Sequence, residues 1–553
     1  MIARKWFIGR LLLPRALLQL HHHTSFLRPM ATKDFSKGYK FITEGSATIL
    51  FPESNDVFYN KVQVKNRDLS ILMITLFGEL QQQEWDQLKV SKPKRYEGIM
   101  AERKKAAEAE GKPWIAEEGL YILEALAASG LRSIRYFNEI PNIRRIIIND
   151  IADAAVESMK DNLAYNNITS SRVVPNQADA TMIMYQNRSP SYHCFDVIDL
   201  DPYGSCSIFL DGAVQSIRDG GLLCVTSTDL TVLCGNHPEV VFTKYGANCP
   251  KTPFCHELAV RILLYTIQMT AARYGRSMEV LGAFQIDFYV RCFVRIHDSK
   301  LAIKHCAMNS SLLYYCNNCQ NFQLQPLGRT HKDNTSKFHP PNCEVDSHCP
   351  LCGSQYRLGG PIFNGALHDH VFIQKAIDRL TQLYVTKDPV AVAASHYQCS
   401  THSILLGLLT AMQEEVPSPL YYSFHGVTSS LRLTAPKYQE IASALRHAGY
   451  TQSQCHCDPL ALKTNAPGSV VFDIFRAYFR QFQMEEKKDW LEQLPDCFAK
   501  QYLSQPAEGE YDFTILPDLK KDYEFPRFPG NPEANWGPKA RGSLKRTKLS
   551  ENS

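Results

Sequence analysis

The chain has 553 residues, 44% apolar and 21% charged, with a net charge of +4. That is room for roughly two to four globular domains with buried cores, and the charge is too mild to argue for or against a nucleic-acid partner. No apolar stretch approaches the roughly 18 residues of a membrane helix, so no membrane partner is expected. None of the 17 cysteines precedes Cys194, which excludes a short, evenly studded disulfide scaffold.

Residues 1–30 carry Arg4, Lys5, Arg10, Arg15 and Arg28 among leucines, and no acid occurs before Asp34. This acid-poor, Arg-rich profile is that of a mitochondrial transit leader, or of a leader with no address. Met30 offers a second start, so a mitochondrial product and a nuclear or cytosolic one are both expected. Residues 57–68 (VFYNKVQVKNRD) alternate aromatic and basic residues. Phe58 suits closure over a planar base and Arg67 suits a carboxylate, while an edge strand with a surface arginine gives the same string. Residues 92–113 read as a charged, exposed insertion or helical linker.

From Trp114 strand and helix alternate. Leu120–Leu126 is a strand, followed by a helix with Leu131, Ile134 and Phe137 on one face. Arg145–Asp150 is a strand, Ala152–Asn166 a helix, and Phe195–Asp201 a buried-type strand. Ser207–Arg218 reads as helix, Gly221–Ser227 as strand and Cys255–Tyr274 as a long helix. Glu279–Ile286 and Phe288–Ile296 then reverse directly, which sets an antiparallel strand into an otherwise parallel sheet. The fold class is α/β, with a Rossmann-like sheet covered on both faces. Residues 314–360 hold paired cysteines, 366–500 are mainly helical with some strand, and a basic tail begins near Pro517.

In an open α/β sheet the ligand lies beyond the carboxyl ends of the strands. The first strand is followed by small residues, Ala125 to Gly130, without a GxGxxG fingerprint. The second ends in Asp150, an acid suited to ribose hydroxyls and equally a helix N-cap. Asp179 and Ala180 follow the third. The fourth ends in Asp199-Leu-Asp201-Pro202-Tyr203-Gly204. An exocyclic amine on a planar base has a delocalised lone pair, so its methylation needs an acceptor for the N–H proton. Asp201 fits that role, and Tyr203 offers a stacking face. A solvent-facing turn is the plainer alternative. Cys316-x-x-Cys319 and Cys349-x-x-Cys352 have the form of a structural, four-thiolate Zn²⁺ site. Cys343, His331, His339 and His348 are substitute ligands, and Cys455-x-Cys457 reads as incidental. Arg476, Tyr478, Phe479 and Arg480 suit either RNA contact or a helix with a buried aromatic face.

The strings FYNKVQVKNRDLS, LEALAASGLRSIRY, INDI, QADAT and DLDPYGS, then two CxxC pairs, resemble the Trm1 family of tRNA (guanine(26)-N2)-dimethyltransferases over about residues 35–500. The resemblance implies a class I methyltransferase domain (35–310) and a family-specific C-terminal α+β domain with the cysteine site (311–500), while composition alone marks residues 517–553 as a basic disordered tail. It also implies S-adenosylmethionine as methyl donor and tRNA as substrate, dimethylated on the 2-amino group of guanosine 26. By the same resemblance Arg67, Arg132, Asp150, Asp179 and Ala180 are cofactor ligands, Asp201 is the catalytic acid, and Phe58 and Tyr203 frame the guanine. Lys61 departs from the proline frequent in the family after FYN. Two alternatives remain: a methyltransferase for adenine amines in DNA or RNA, and an inactive zinc-bearing RNA-binding protein.

Overall fold

The computed structural model describes residues 35, 38–52, 59–109, 119–188, 194–331, 334–520 and 523–530. The leader, Phe58, residues 110–113 of the charged segment and the last 23 residues, 531–553, lie outside them.

A hairpin of β1 (Tyr39–Glu44) and β2 (Ala47–Pro52) comes first. Asn60 then caps a 3-10 turn (Lys61–Gln63) by accepting the Val62 N–H, and the turn runs into α1 (Val64–Ser91) and α2 (Pro93–Ala109). The edge-strand reading of residues 57–68 therefore gives way to helix from Lys61 onward. The two-residue alternation ends at Arg67, and from Lys65 to Phe77 every α1 residue is buried, as in a helix inside a core. Within the charged segment, α2 leans back on α1, with Tyr96 packing edge-on against Trp85.

The sheet elements follow as β3 (Leu120–Glu124), α3 (Leu131–Glu139), β4 (Ile143–Asp150), α4 (Asp153–Tyr165), β5 (Val173–Gln177), α5 (Ala180–Gln186) and β6 (Phe195–Leu200). Then come α6 (Ser207–Ser216), β7 (Ile217–Ser227), α7 (Pro238–Tyr245), α8 (Cys255–Arg273), β8 (Arg276–Ile286) and β9 (Tyr289–Asp298). Their order across the sheet is β5-β4-β3-β6-β7-β9-β8. The first five strands are parallel, and β9 is antiparallel to both β7 and β8. The tight reversal places Asp287 at φ +50. The α6–β7 boundary differs from the sequence reading, because the helix stops at Ser216. Ile217 pairs with Phe195 and is 1% exposed, and Arg218 closes an ion pair on buried Asp196. Burying that side chain and satisfying that charge outweigh continued helical propensity.

One sheet face packs against α5, α6 and α8 through residues such as Ile183, Leu210 and Leu258. The other packs against α1, α3 and α4 through Leu72, Ile134 and Met159. Each such side chain contributes about 1.5–3 kcal/mol by leaving water.

Beyond the sheet come β10 (Ser310–Tyr315), β11 (Phe322–Pro326), β12 (Arg329–His331), β13 (Asn334–His339) and β14 (Arg357–Phe363). Next are α9 (His370–Leu380), α10 (Pro389–Ala394), α11 (His402–Glu414), β15 (Tyr422–Ser423), α12 (Phe424–Ser430) and α13 (Tyr438–His447). β16 (Gln452–Cys455), β17 (Asp458–Thr464), α14 (Gly468–Phe482), α15 (Met484–Gln493) and α16 (Phe498–Leu503) complete the C-terminal part. In α14, Arg476 is 1% exposed and held by Asp473, and Phe479 is fully buried, so these two are core packing, whereas Tyr478 is half-buried and Arg480 exposed. The tail begins later than Pro517: Asp518 accepts from Arg446 at 2.6 Å, and buried Arg527 pairs with Glu414.

Candidate active site

Between β3 and β6 the strand order reverses direction, and a cleft of about 290 Å³ opens there at the carboxyl ends of the strands. Tyr59, Arg67, Glu124, Ala128, Arg132, Asp201, Tyr203 and Thr228 are among its lining residues. After β3 the chain turns through Ala128 (φ +49) and Gly130 (φ +75) into α3. A Cβ at Gly130 would lie 3.3 Å from Met159, so glycine serves both the left-handed turn and the close packing of α3 on α4.

Asp201 follows β6 directly. Its Oδ2 accepts from the Arg132 Nη2, and its side chain is 21% exposed. Pro202 is buried and Tyr203 is 51% exposed. Gly204, at φ +83, closes the turn: its N–H donates to Thr228 Oγ1 at 2.7 Å, and the Thr228 N–H donates back to its carbonyl at 2.9 Å.

Beneath Asp201 lies Asp199, 1% exposed. Both its oxygens accept from Arg291, at 2.8 and 2.9 Å, and one also accepts from the Tyr136 hydroxyl at 2.6 Å. Arg132 Nη1 reaches the same carboxylate at 3.4 Å and Ser70 Oγ at 3.2 Å. Burial works to raise the Asp199 carboxyl, but the Arg291 and Arg132 charges outweigh it and hold it at about 2. Glu124 is the opposite case. Burial dominates over the pull of Arg132 and pushes its carboxyl up to about 8. It accepts from the Ser133 N–H at 3.1 Å and from the Ser133 hydroxyl. The site thus holds an ionised buried acid, a largely neutral buried acid and a partly exposed one, organised around Arg132.

Of the residues expected on a cofactor, Arg67 lies on α1 at the cleft wall, 8% exposed, with its guanidinium on Glu44 (2.6 Å from Nε). Tyr59, beside the undescribed Phe58, donates to the same glutamate at 3.0 Å. Arg132 is engaged by Asp199 and Asp201 at the cleft floor. Asp150 ends β4 half-buried, accepting from the Ala128 N–H at 2.9 Å and the Ala152 N–H at 3.0 Å. Asp179 is exposed and caps α5, accepting from Thr181 and Met182, and Ala180 is the buried first residue of that helix. Arg67, Arg132, Asp201 and Tyr203 line one cleft, and Asp150 adjoins it through its bond from the Ala128 N–H. Asp179 lies one strand further out.

The sequence reading missed Asp199 as an anchor, and it missed Arg291, Tyr136, Ser70, Glu124 and Glu44. One signal was available for Arg291: a charge interrupts the apolar run YVRCFVRI of β9. A charge in a strand buried on both faces needs a partner inside the protein.

The second cluster is far from the cleft in sequence. Cys316 Sγ lies 3.4 Å from Cys352 Sγ, and Cys319 Sγ 3.5 Å from Cys349 Sγ. All four sulfurs fall within 4.8 Å of one another. Each CxxC closes on itself through a backbone bond, Gln320 N–H to Cys316 and Gly353 N–H to Cys349, both 2.8 Å.

A protein-family model for the N2,N2-dimethylguanosine tRNA methyltransferases matches residues 38–476. A tRNA (guanine(26)-N(2))-dimethyltransferase of Schizosaccharomyces pombe is 39% identical over 537 residues, covering 90% of this chain and 92% of its own. The Saccharomyces cerevisiae enzyme of the same name, designated mitochondrial, is 36% identical, covering 91% and 92%. A solved structure of Trm1 from Pyrococcus horikoshii in complex with S-adenosyl-L-methionine superposes with a TM-score of 0.60. It is 27% identical and covers 79% of this chain and 99% of its own. With the sheet order, the cleft at its switch point and these matches along most of its length, the chain belongs to the N2,N2-dimethylguanosine tRNA methyltransferase family.

Proposed function

We propose that this chain transfers two methyl groups, one after the other, from S-adenosylmethionine to the 2-amino group of guanosine 26 in tRNA, with Asp201 as the proton acceptor. The observation that carries this reading is the pairing, at one cleft mouth, of a partly exposed carboxylate with the exposed ring of Tyr203. Bound S-adenosylmethionine supplies an electrophilic methyl group. Asp150 suits the ribose hydroxyls, Asp179 and Ala180 the adenine, and Arg67 the carboxylate, with Glu44 steadying its guanidinium. The backbone at Ala127, Ala128 and Ser129 carries only small side chains, which fits close approach of such a ligand.

The target base has to leave its stack in folded RNA, and Tyr203 gives it a surface to lie on. Asp201 then accepts one N–H of the amine and takes that proton as the nitrogen is methylated. Arg132, itself held by Asp199, fixes the carboxylate in place through its own contact with Asp201. The second methylation needs an ionised Asp201 again. Its exposure to solvent lets the first proton leave.

The cysteine cluster suits a structural Zn²⁺. A tetrahedral ion with bonds of about 2.3 Å sets its sulfurs roughly 3.8 Å apart, close to the observed pairs. Four protein ligands leave no open position, so the ion would brace the C-terminal domain (311–500), in whose core Cys316, Cys319 and Cys349 pack. Residues 1–30 would direct one product to mitochondria, as the name of the Saccharomyces cerevisiae relative suggests, and a product begun at Met30 would serve the nucleus or cytosol.

Nucleoside mass spectrometry of unmodified tRNA after reaction tests the activity. Dimethylguanosine from the wild type is expected, with an Asp201→Asn rate lower by about 10²–10⁴-fold and binding of both substrates retained. Absence of methylated guanosine from a wild type that binds both would overturn the reading.

A further inference from the structure

Three potential ligand atoms meet outside both sites. The sulfurs of Cys234 and Cys255 and a ring nitrogen of His256 lie within 4.8 Å of one another. Cys234 sits in the π-turn Val232–Asn236 between β7 and α7, and Cys255 and His256 open the 19-residue α8. No spacing rule finds this trio, because α7 and its loops separate the two parts in sequence.

These cysteines differ from those in the sheet. Cys206, Cys224 and Cys292 are fully buried and act as small apolar side chains, and burial pushes the Cys206 thiol up to about 12. Cys234, Cys255 and His256 are each half-buried and within reach of solvent. The Cys234 sulfur lies 3.7 Å from the Cys255 carbonyl, so the turn and the start of α8 already meet at this point. The turn carrying Cys234 is also closely packed. Gly235 is at φ +82, where an added Cβ would lie 2.9 Å from the Cys249 carbonyl, and the Cys249 thiol donates to the Leu233 carbonyl at 3.2 Å. Cys457, in the β16–β17 turn of the C-terminal domain, is near enough to act electrostatically on Cys234.

We infer that Cys234, Cys255 and His256 form a second metal site, for Zn²⁺ or a similar thiolate-seeking divalent ion, with its fourth position open toward solvent and Cys457. Two thiolates and an imidazole are donors such ions select. Zn²⁺ with bonds of about 2.0–2.3 Å needs donors roughly 3.3–3.8 Å apart, so a group already within 4.8 Å closes by small side-chain rotations. The chain that lines the cleft at Thr228 runs directly into this turn. An ion there ties the turn to α8 and stiffens that wall.

The test is metal content per full-length chain by mass spectrometry, on protein purified with reductant, for wild type, Cys234→Ser and His256→Ala. Each variant should keep its far-UV circular dichroism and hold one Zn²⁺ fewer than the wild type. Cys234 and Cys255 should resist alkylation in the loaded wild type and react once a chelator is added. Because the readout is a difference, a wild type with a single ion that both variants lose still assigns the ion here, whatever the four-cysteine cluster holds. Equal metal content in all three proteins would overturn the inference, as would ready alkylation of Cys234 and Cys255 in the loaded chain, or their recovery as a disulfide.

Discussion

Replacing Arg291 with methionine tests the charge network beneath the Asp201 carboxylate. Arg291 is fully buried and spans both oxygens of Asp199 at 2.8 and 2.9 Å, with further bonds to Thr226 and Ser70 at 2.9 Å. At an effective dielectric near 20, unit charges at that separation attract by about 6 kcal/mol, much of which desolvation offsets. Truncating one partner leaves the other buried and unpaired, which costs about 3–5 kcal/mol. In a catalytic domain of this size that lowers the unfolding midpoint by on the order of 10 °C. Arg132 would also be drawn toward Asp199 and away from Asp201, so kcat should fall more than tRNA binding does. Scanning calorimetry reads the first effect and single-turnover methylation the second. The double variant Arg291→Met/Asp199→Leu should recover a large part of the lost stability, because no orphaned acid remains. An Arg291→Met midpoint within 2 °C of wild type would refute the account of Asp199 as a desolvated, charge-paired anchor.

The Glu124 carboxyl is raised by burial to about 8, so it binds its proton more tightly folded than unfolded. The stability it lends is whole below its unfolded value near 4.5 and is lost as pH rises through about 8. Glu124→Gln should flatten the fall in unfolding midpoint over that window, and parallel profiles would contradict the assignment. At the seam between the two domains, Lys463 is 1% exposed and bridges Glu257 on α8, at 2.6 Å, and Glu415 after α11, at 2.9 Å. Lys463→Met should destabilise by about 3–5 kcal/mol, and adding Glu257→Gln should restore part of it in the same denaturation assay. Cys319→Ser should release one Zn²⁺ per chain and open the segment between residues 316 and 352 to limited proteolysis. Retained metal and protease resistance would argue against the four-thiolate site.

The catalytic sheet was legible because its signals are local. Strands buried on both faces must be continuous apolar runs, and helices that cover them must show one apolar stripe. Those patterns give β3, β4, β6, β8 and β9 nearly in place and β7 from Gly221 on, while β5 was marked only by the residues that follow it; the residues beyond the strand ends singled out Asp150, Asp179 and Asp201. The errors lie where long-range contacts outweigh local pattern. Asp196 draws Arg218 into β7, and the surrounding core makes a buried helix of residues whose alternation suggested a strand. Sequence by itself determined the order of elements, the acids at the strand ends and the paired CxxC turns, because period, turn chemistry and ligand spacing are properties of neighbouring residues. The tertiary structure alone decided that Asp199 is clamped by Arg291, that Arg132 turns to Asp201, and that Cys234 meets Cys255 and His256. Such pairings join elements far apart along the chain, and burial forces charges and thiols to find partners wherever the fold brings them.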